Sequence, residues 1–434
     1  MSDGRDSEER SQADPGRKYR LNAQSALRRE EGTRVGGLES IAELAKVEPP
    51  GRGQTPRLAG WWASSKGEIL LGAFIAVFFL VSAVLVARDS PLASRAQLVL
   101  IALIPLTAVF AFLAWLDRWA PIPPRYKFYA VAWGGGVAAL AAIVVNTAAF
   151  QDLLLYSGDE LHALFVDSVV VAPVAEELFK GLGVILILVL ARHQLTSTLG
   201  AVALAGLVGA GFAYVENLEY FWQSWQEGSA VFGFTVFARG VMSPFVHPMA
   251  TSFTGLAVGA ALLKKPGAWG WIWRLTLGYA GAVAIHALWN GLASLGAVWI
   301  LLYLIFELPL FIVWMTVLII WSRKLSRSVA DGLVPYMETG WINPSEAQLV
   351  LNPVARKAAR KWARRLRAPA PKLLRKFQRD LGFIAMDQQL MTRYGYDSQR
   401  VALDRRRLRD LVAVREELAD LELVRGAAAS AATK

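Results

Sequence analysis

Two adjacent carboxylates, Glu176 and Glu177, with Lys180 just behind them, lie in a stretch that is otherwise apolar from Val169 to Leu190. A charged side chain at mid-bilayer costs about 2.5–3.5 kcal/mol on insertion scales, so three together are a heavy load without a purpose. Neighbouring apolar stretches repeat the pattern with Glu216, His247, His286 and Asn290. Two histidines and a carboxylate can hold zinc and leave a position open for water, and a second carboxylate can take a proton from that water. Asn290 lies one helical turn beyond His286, on the same face, where its amide could stabilise an oxyanion or add a metal contact. Lys180 is spaced to pair with Glu176 at i+4 or with Glu177 at i+3. These residue types in this setting point to metal-assisted hydrolysis inside a membrane.

Composition agrees with the setting. Hydrophobic residues make up 55% of the 434, which predicts a polytopic membrane protein. The absence of cysteine excludes disulfides, thiolate zinc ligands and cysteine catalysis, so any metal must be held by His, Glu, Asp or Asn. From Arg323 onward there are 23 Lys or Arg against 12 Asp or Glu, an excess that accounts for the whole net charge of +11. A basic tail directly after the last span suggests a cytoplasmic region near anionic lipid headgroups. No binding motif accompanies the charge, so no nucleic acid is expected.

The elements that must position the chemical groups are helices. The expected fold is all-α, with about eight transmembrane passes at 69–87, 98–116, 128–150, 161–190, 199–222, 229–263, 273–296 and 298–321. The fourth and sixth exceed one straight span; Pro173 breaks the fourth, and Pro244 and Pro248 break the sixth. Three regions follow: a disordered cytoplasmic segment over 1–66, a transmembrane domain over 67–322, and a basic helical cytoplasmic region over 323–434. No cleavable signal peptide is apparent, and the first span serves as a signal anchor. Arg118, Arg125, Lys127, Arg192, Lys264, Lys265 and Arg274 gather in loops on one side, so both termini are expected in the cytoplasm. Measured from the cytoplasmic ends at 1.5 Å per residue, Glu176, Glu216, His247 and His286 all reach heights of about 18–25 Å.

At these motifs the chain resembles a known family. Glu176-Glu177-Leu-Phe-Lys180 is similar to the Glu-Glu-x-x-Lys motif of PrsW-type intramembrane metalloproteases, and Phe212-Ala-Tyr-Val-Glu216 resembles their Phe-x-x-x-Glu. His247 and His286-Ala-Leu-Trp-Asn290 fall on the later histidine motifs. The distantly related CAAX-processing and bacteriocin-immunity proteases carry Glu-Glu-x-x-x-Arg and Phe-x-x-x-His, so the Lys and the second-motif Glu place this chain on the PrsW side. The resemblance covers about residues 128–321 and neither polar end.

What the resemblance implies is a zinc-dependent endopeptidase that cuts membrane-anchored proteins in or near their transmembrane segments, in a bacterial plasma membrane. By matching position, Glu176 is the general base with Glu177 beside it, His247, His286 and Glu216 bind the metal or its water, and Asn290 assists. The competing readings are a proton- or ion-coupled transporter, since intramembrane Glu and His also mark ion paths, and an inactive relative that binds membrane proteins without cutting them. No inverted repeat links the two halves, which counts against the transporter. Glu307, in the last span, stands at about the same height as the proposed site, with Arg239 as a candidate partner.

Overall fold

The computed structural model describes residues 92–432 except 367 and 396, together with 72, 73 and 80. The expected segment 1–66 and almost all of the expected first span, 69–87, lie outside the described residues. Among the described residues every regular element is helical. In chain order these are α1 (Leu92–Leu116), α2 (Pro124–Trp133), α3 (Ala139–Ser157), α4 (Glu160–Val166), α5 (Ala172–Leu190), α6 (Thr198–Glu227), α7 (Ser229–Phe237), α8 (Val246–Lys264), α9 (Ala268–Ala293), α10 (Trp299–Leu302), α11 (Leu308–Glu338), α12 (Pro344–Leu351), α13 (Pro353–Leu366), α14 (Ala370–Tyr394) and α15 (Ser398–Ala432). The described residues up to Leu325 form one compact unit and those from Ser326 form another.

Five stretches are long and apolar enough to cross a membrane: Ala96–Leu116, Pro124–Ser157, Thr198–Glu227, Ser229–Lys264 and Gly296–Glu338. α5 and α9 are the helices that carry Glu176, Glu177, Lys180, His286 and Asn290, and these side chains lower their apolarity.

α6 is the axis of the first unit. It is buried over nearly all of its apolar length, whereas the other four stretches leave most of theirs uncovered. Its sequence explains this, because Gly200, Ala201, Ala203, Ala205, Gly206, Gly209, Ala210 and Gly211 give a thin helix that neighbours can approach on every side. A Cβ on Gly209 would lie 2.5 Å from the His247 carbonyl oxygen, so the glycine sets how closely α8 docks at the very residue that matters. Gly134, in a π turn over Gly134–Ala138, makes a similar approach to the Val208 carbonyl.

The expected proline breaks take definite forms. Ser243–Phe245 interrupt the sixth stretch, and α8 restarts with Pro248 in its first turn, where the missing N–H costs no helical bond. His247 therefore stands at a helix N-terminus beside the break. At Pro173 the chain does not part; a π turn over Asp167–Val171 precedes α5 and absorbs the irregularity.

In the second unit, Leu373, Leu374, Phe377, Leu381 and Ile384 of α14 face a buried stripe on α15 that includes Leu408, Leu411, Val414 and Leu418. The two helices also share a buried charge cluster. Asp387 pairs with Arg400 and, at 2.6 Å, with Arg407, which reaches Asp404 at 2.7 Å.

Candidate metal centre

α5 presents Glu176, Glu177 and Lys180 on its buried face. Lys180 has no exposed surface, and its ammonium donates to Glu176 Oε2 at 3.2 Å and Glu177 Oε1 at 2.9 Å, so both spacings expected from the sequence are used. The same Nζ lies 3.0 Å from His247 Nδ1 and 3.7 Å from the centre of the Phe212 ring. An ammonium buried this deeply is tolerable because it is paired on several sides and rests on an aromatic face.

The two histidines meet. Their rings are edge to face with centroids 4.8 Å apart. Glu176, His247 and His286 each offer a donor atom within 4.8 Å of the other two, and all three residues are buried. Each histidine also has a carboxylate behind it. His286 Nδ1 lies 3.1 Å from Glu177 Oε1, which fixes Nδ1 as the protonated nitrogen and leaves Nε2, 3.8 Å from Glu176 Oε2, with its lone pair toward the cluster. His247 Nε2 lies 2.6 Å from Glu216 Oε2, leaving Nδ1 for the interior. A carboxylate on the outer nitrogen of each ring is the arrangement that orients metal-bound histidines in general.

Glu216 thus stands outside the three-residue cluster, behind His247. Its Oε2 is also 2.6 Å from Arg239 Nη2, yet this buried oxygen makes no contact of full hydrogen-bond geometry. Arg239 in turn donates through Nε to Asn217 Oδ1 at 2.9 Å. Asn290 is on the expected face of α9, but its amide donates to the Ser168 carbonyl at 2.7 Å and so ties α9 to the turn before α5. Glu307 accepts from Trp299 at 3.3 Å, while Arg239 is engaged with Glu216.

Sequence reasoning passed over two supporting residues. Asn146 Nδ2 donates to Glu176 Oε1 at 3.2 Å, and Thr251 Oγ1 donates to Glu177 Oε2 at 3.0 Å. Asn146 carries a readable signal, being an amide in the middle of an apolar stretch. Thr251 carries none, because a threonine in such a helix is ordinarily a self-bonded packing residue.

The donor set fits a divalent cation on its own chemistry. Two imidazoles and a carboxylate suit zinc, and no softer ligand is present in a chain without cysteine. Counted formally, Glu176, Glu177 and Glu216 carry three negative charges against two positive ones on Lys180 and Arg239, so the cluster has an anionic excess.

Residues 122–321 match the family model described as the PrsW family intramembrane metalloprotease. The membrane-embedded part of this chain is a PrsW-family domain. Together with its apolar helices, that membership makes the chain a multi-pass membrane protein carrying an intramembrane protease domain. No curated protein and no solved structure matches it. The PrsW match ends before the second compact unit, whose α12–α15 lie beyond residue 321.

Proposed function

We propose that the chain is a zinc metalloendopeptidase that cuts membrane-anchored proteins in or near their transmembrane segments. The observation that carries this reading is the convergence of Glu176, His247 and His286, with Glu177 and Glu216 each backing one histidine. Glu176, His247 and His286 would hold the zinc. When bound, zinc supplies Lewis acidity for the scissile carbonyl and lowers the pKa of water toward neutrality.

The rest of the chemistry belongs to the chain. Glu177 and Glu216 hold the imidazoles in the tautomers that turn lone pairs inward. Lys180 and Asn146 fix the two oxygens of Glu176 from opposite sides. The ammonium of Lys180 also places fixed positive charge where negative charge develops on a reacting carbonyl oxygen. Asn290 acts as a positioning residue through Ser168. A small cavity lined by Asn217, Arg239, Ser243 and His247 gives water and substrate a polar approach to the cluster. Glu176 therefore moves from the general base implied by the family resemblance to a metal donor, and Glu216 moves from donor to orienting group.

The wider picture is part of the same proposal. Eight passes with both termini cytoplasmic, in a bacterial plasma membrane, leave 323–434 as a basic helical region against the inner leaflet. α13 supports this, since Lys357, Arg360, Lys361, Arg364 and Arg365 crowd one short amphipathic helix suited to anionic headgroups.

The test is cleavage of a single-pass reporter by purified full-length protein in nanodiscs. Wild-type protein cuts it and loses the ability on chelation, and Glu176→Gln does not cut. Cleavage that persists after Glu176→Gln would contradict the assignment, and an ion flux without cleavage would favour a transporter.

A further inference from the structure

Glu307 is a buried carboxylate that the metal centre does not use. It closes a π turn over Tyr303–Glu307, an irregularity that places side chains at functional sites more often than chance. The residue is 5% exposed. Its Oε2 accepts from Trp299 Nε1, while Oε1 is buried and has no hydrogen-bond partner. A carboxylate held out of water with half its acceptors idle is costly unless something supplies a donor.

Glu307 lines an apolar cavity whose other walls include Met242, Phe245, Met249, Leu288 and Phe311. Tyr303 braces one wall by donating to the Met242 carbonyl at 3.1 Å. The cavity is continuous with the metal centre through shared residues, because Val246 and Trp289 also line the neighbouring cavity that reaches His247. No cation lines the Glu307 cavity, and Arg239 in the neighbouring one is already engaged with Glu216 and Asn217.

We propose that this cavity is a specificity pocket that takes a long cationic side chain, Lys or Arg, from the substrate helix, with Glu307 as its counter-charge. The chemistry matches on both counts. A methylene stem lies well along methionine, leucine and phenylalanine walls, while its charged end needs an opposite charge and an open acceptor. The inference rests on the protease reading for its substrate. It makes Glu307 a selector of what is cut, remote from the atoms that cut.

The experiment reads binding, so that it stands apart from cleavage. Full-length protein carrying Glu176→Gln in nanodiscs is titrated with a fluorescent single-pass peptide bearing one lysine, moved stepwise through two helical turns. The same peptide with norleucine, and with asparagine, at each position gives the comparison. At one or two positions lysine binds about tenfold tighter than norleucine, the size of one charge-assisted hydrogen bond. Adding Glu307→Gln brings that ratio to near one, and Glu307→Lys shifts the preference to a peptide bearing glutamate. Equal binding of lysine and norleucine peptides throughout overturns the proposal, as does a lysine preference that survives Glu307→Gln or an asparagine preference that equals it. Failure of wild-type protein to cut any reporter would instead strike the protease reading and leave the binding ratios to judge the pocket.

Discussion

His247 and His286 bring their imidazole rings edge to face, 4.8 Å between centroids, from two different helices that each carry a carboxylate partner for the outer ring nitrogen. The pairing joins α8 and α9 at the depth where α5 presents Glu176. Loss of either carboxylate leaves a ring free to turn, and that gives the first expectation.

Glu177→Gln keeps the size of the side chain but weakens its hold on His286 Nδ1 and Lys180. Zinc affinity falls about 10–100-fold, the usual effect of losing an outer-shell partner. Competition titration against a fluorescent chelator measures it, and unchanged affinity would remove Glu177 from its orienting role.

Thr251→Val preserves shape and deletes one donor to Glu177 Oε2, which has no exposed surface. The carboxylate oxygen is left short of a partner, at a cost of about 1–3 kcal/mol. Thermal unfolding in detergent shows the loss, and a variant as stable as wild type would mean water replaces the hydroxyl.

Two glycines give a paired comparison. Gly209→Ala sets a methyl group 2.5 Å from the His247 carbonyl oxygen, forces α6 and α8 apart, and destabilises by about 1–3 kcal/mol with loss of zinc binding. Gly233→Ala, in α7 with nothing within 4 Å of the new methyl, is neutral or slightly stabilising through helix propensity. Equal effects at the two positions would contradict the packing account.

These residues also show how far the sequence could be read. Glu176, Glu177, Lys180 and the two histidines were visible because ionisable groups in apolar helices are costly, and fixed helical spacing gave the Lys180 pairs directly. The proline breaks were visible for the same kind of local reason. Which carboxylate shares the centre was not legible. Glu176 and Glu216 differ in partner only because α6 docks on α8 through Gly209, a relation set by packing between distant segments. Asn290 was placed on the correct helix face, but its hydrogen bond to Ser168 depends on the π turn over Asp167–Val171, which no spacing rule announces.

Asp117 supplies a pH test away from the membrane-crossing stretches. Burial pushes its carboxyl up from the ordinary 3.8 to about 6, although the Lys127 ammonium at 2.7 Å and the Ile122 N–H at 2.9 Å both favour the charged form. A carboxyl with a raised folded-state pKa holds its proton more tightly when folded. Its favourable contribution is therefore full below about pH 4 and is lost as pH rises to about 6, a change of about 3 kcal/mol. Unfolding curves between pH 4 and 7 reveal this slope, and Asp117→Asn flattens it; identical slopes in both proteins would contradict the assignment.

The central claim is that Glu176, His247 and His286 jointly hold one metal ion. Elemental analysis of purified full-length protein, after equilibration with buffered zinc, tests it most directly. The account predicts about one zinc per chain in the wild type, with binding lost in Glu176→Gln and in His247→Ala combined with His286→Ala. Zinc retained at wild-type stoichiometry by the double histidine variant would contradict it, and zinc retained by Glu176→Gln would return Glu176 to the role of proton acceptor.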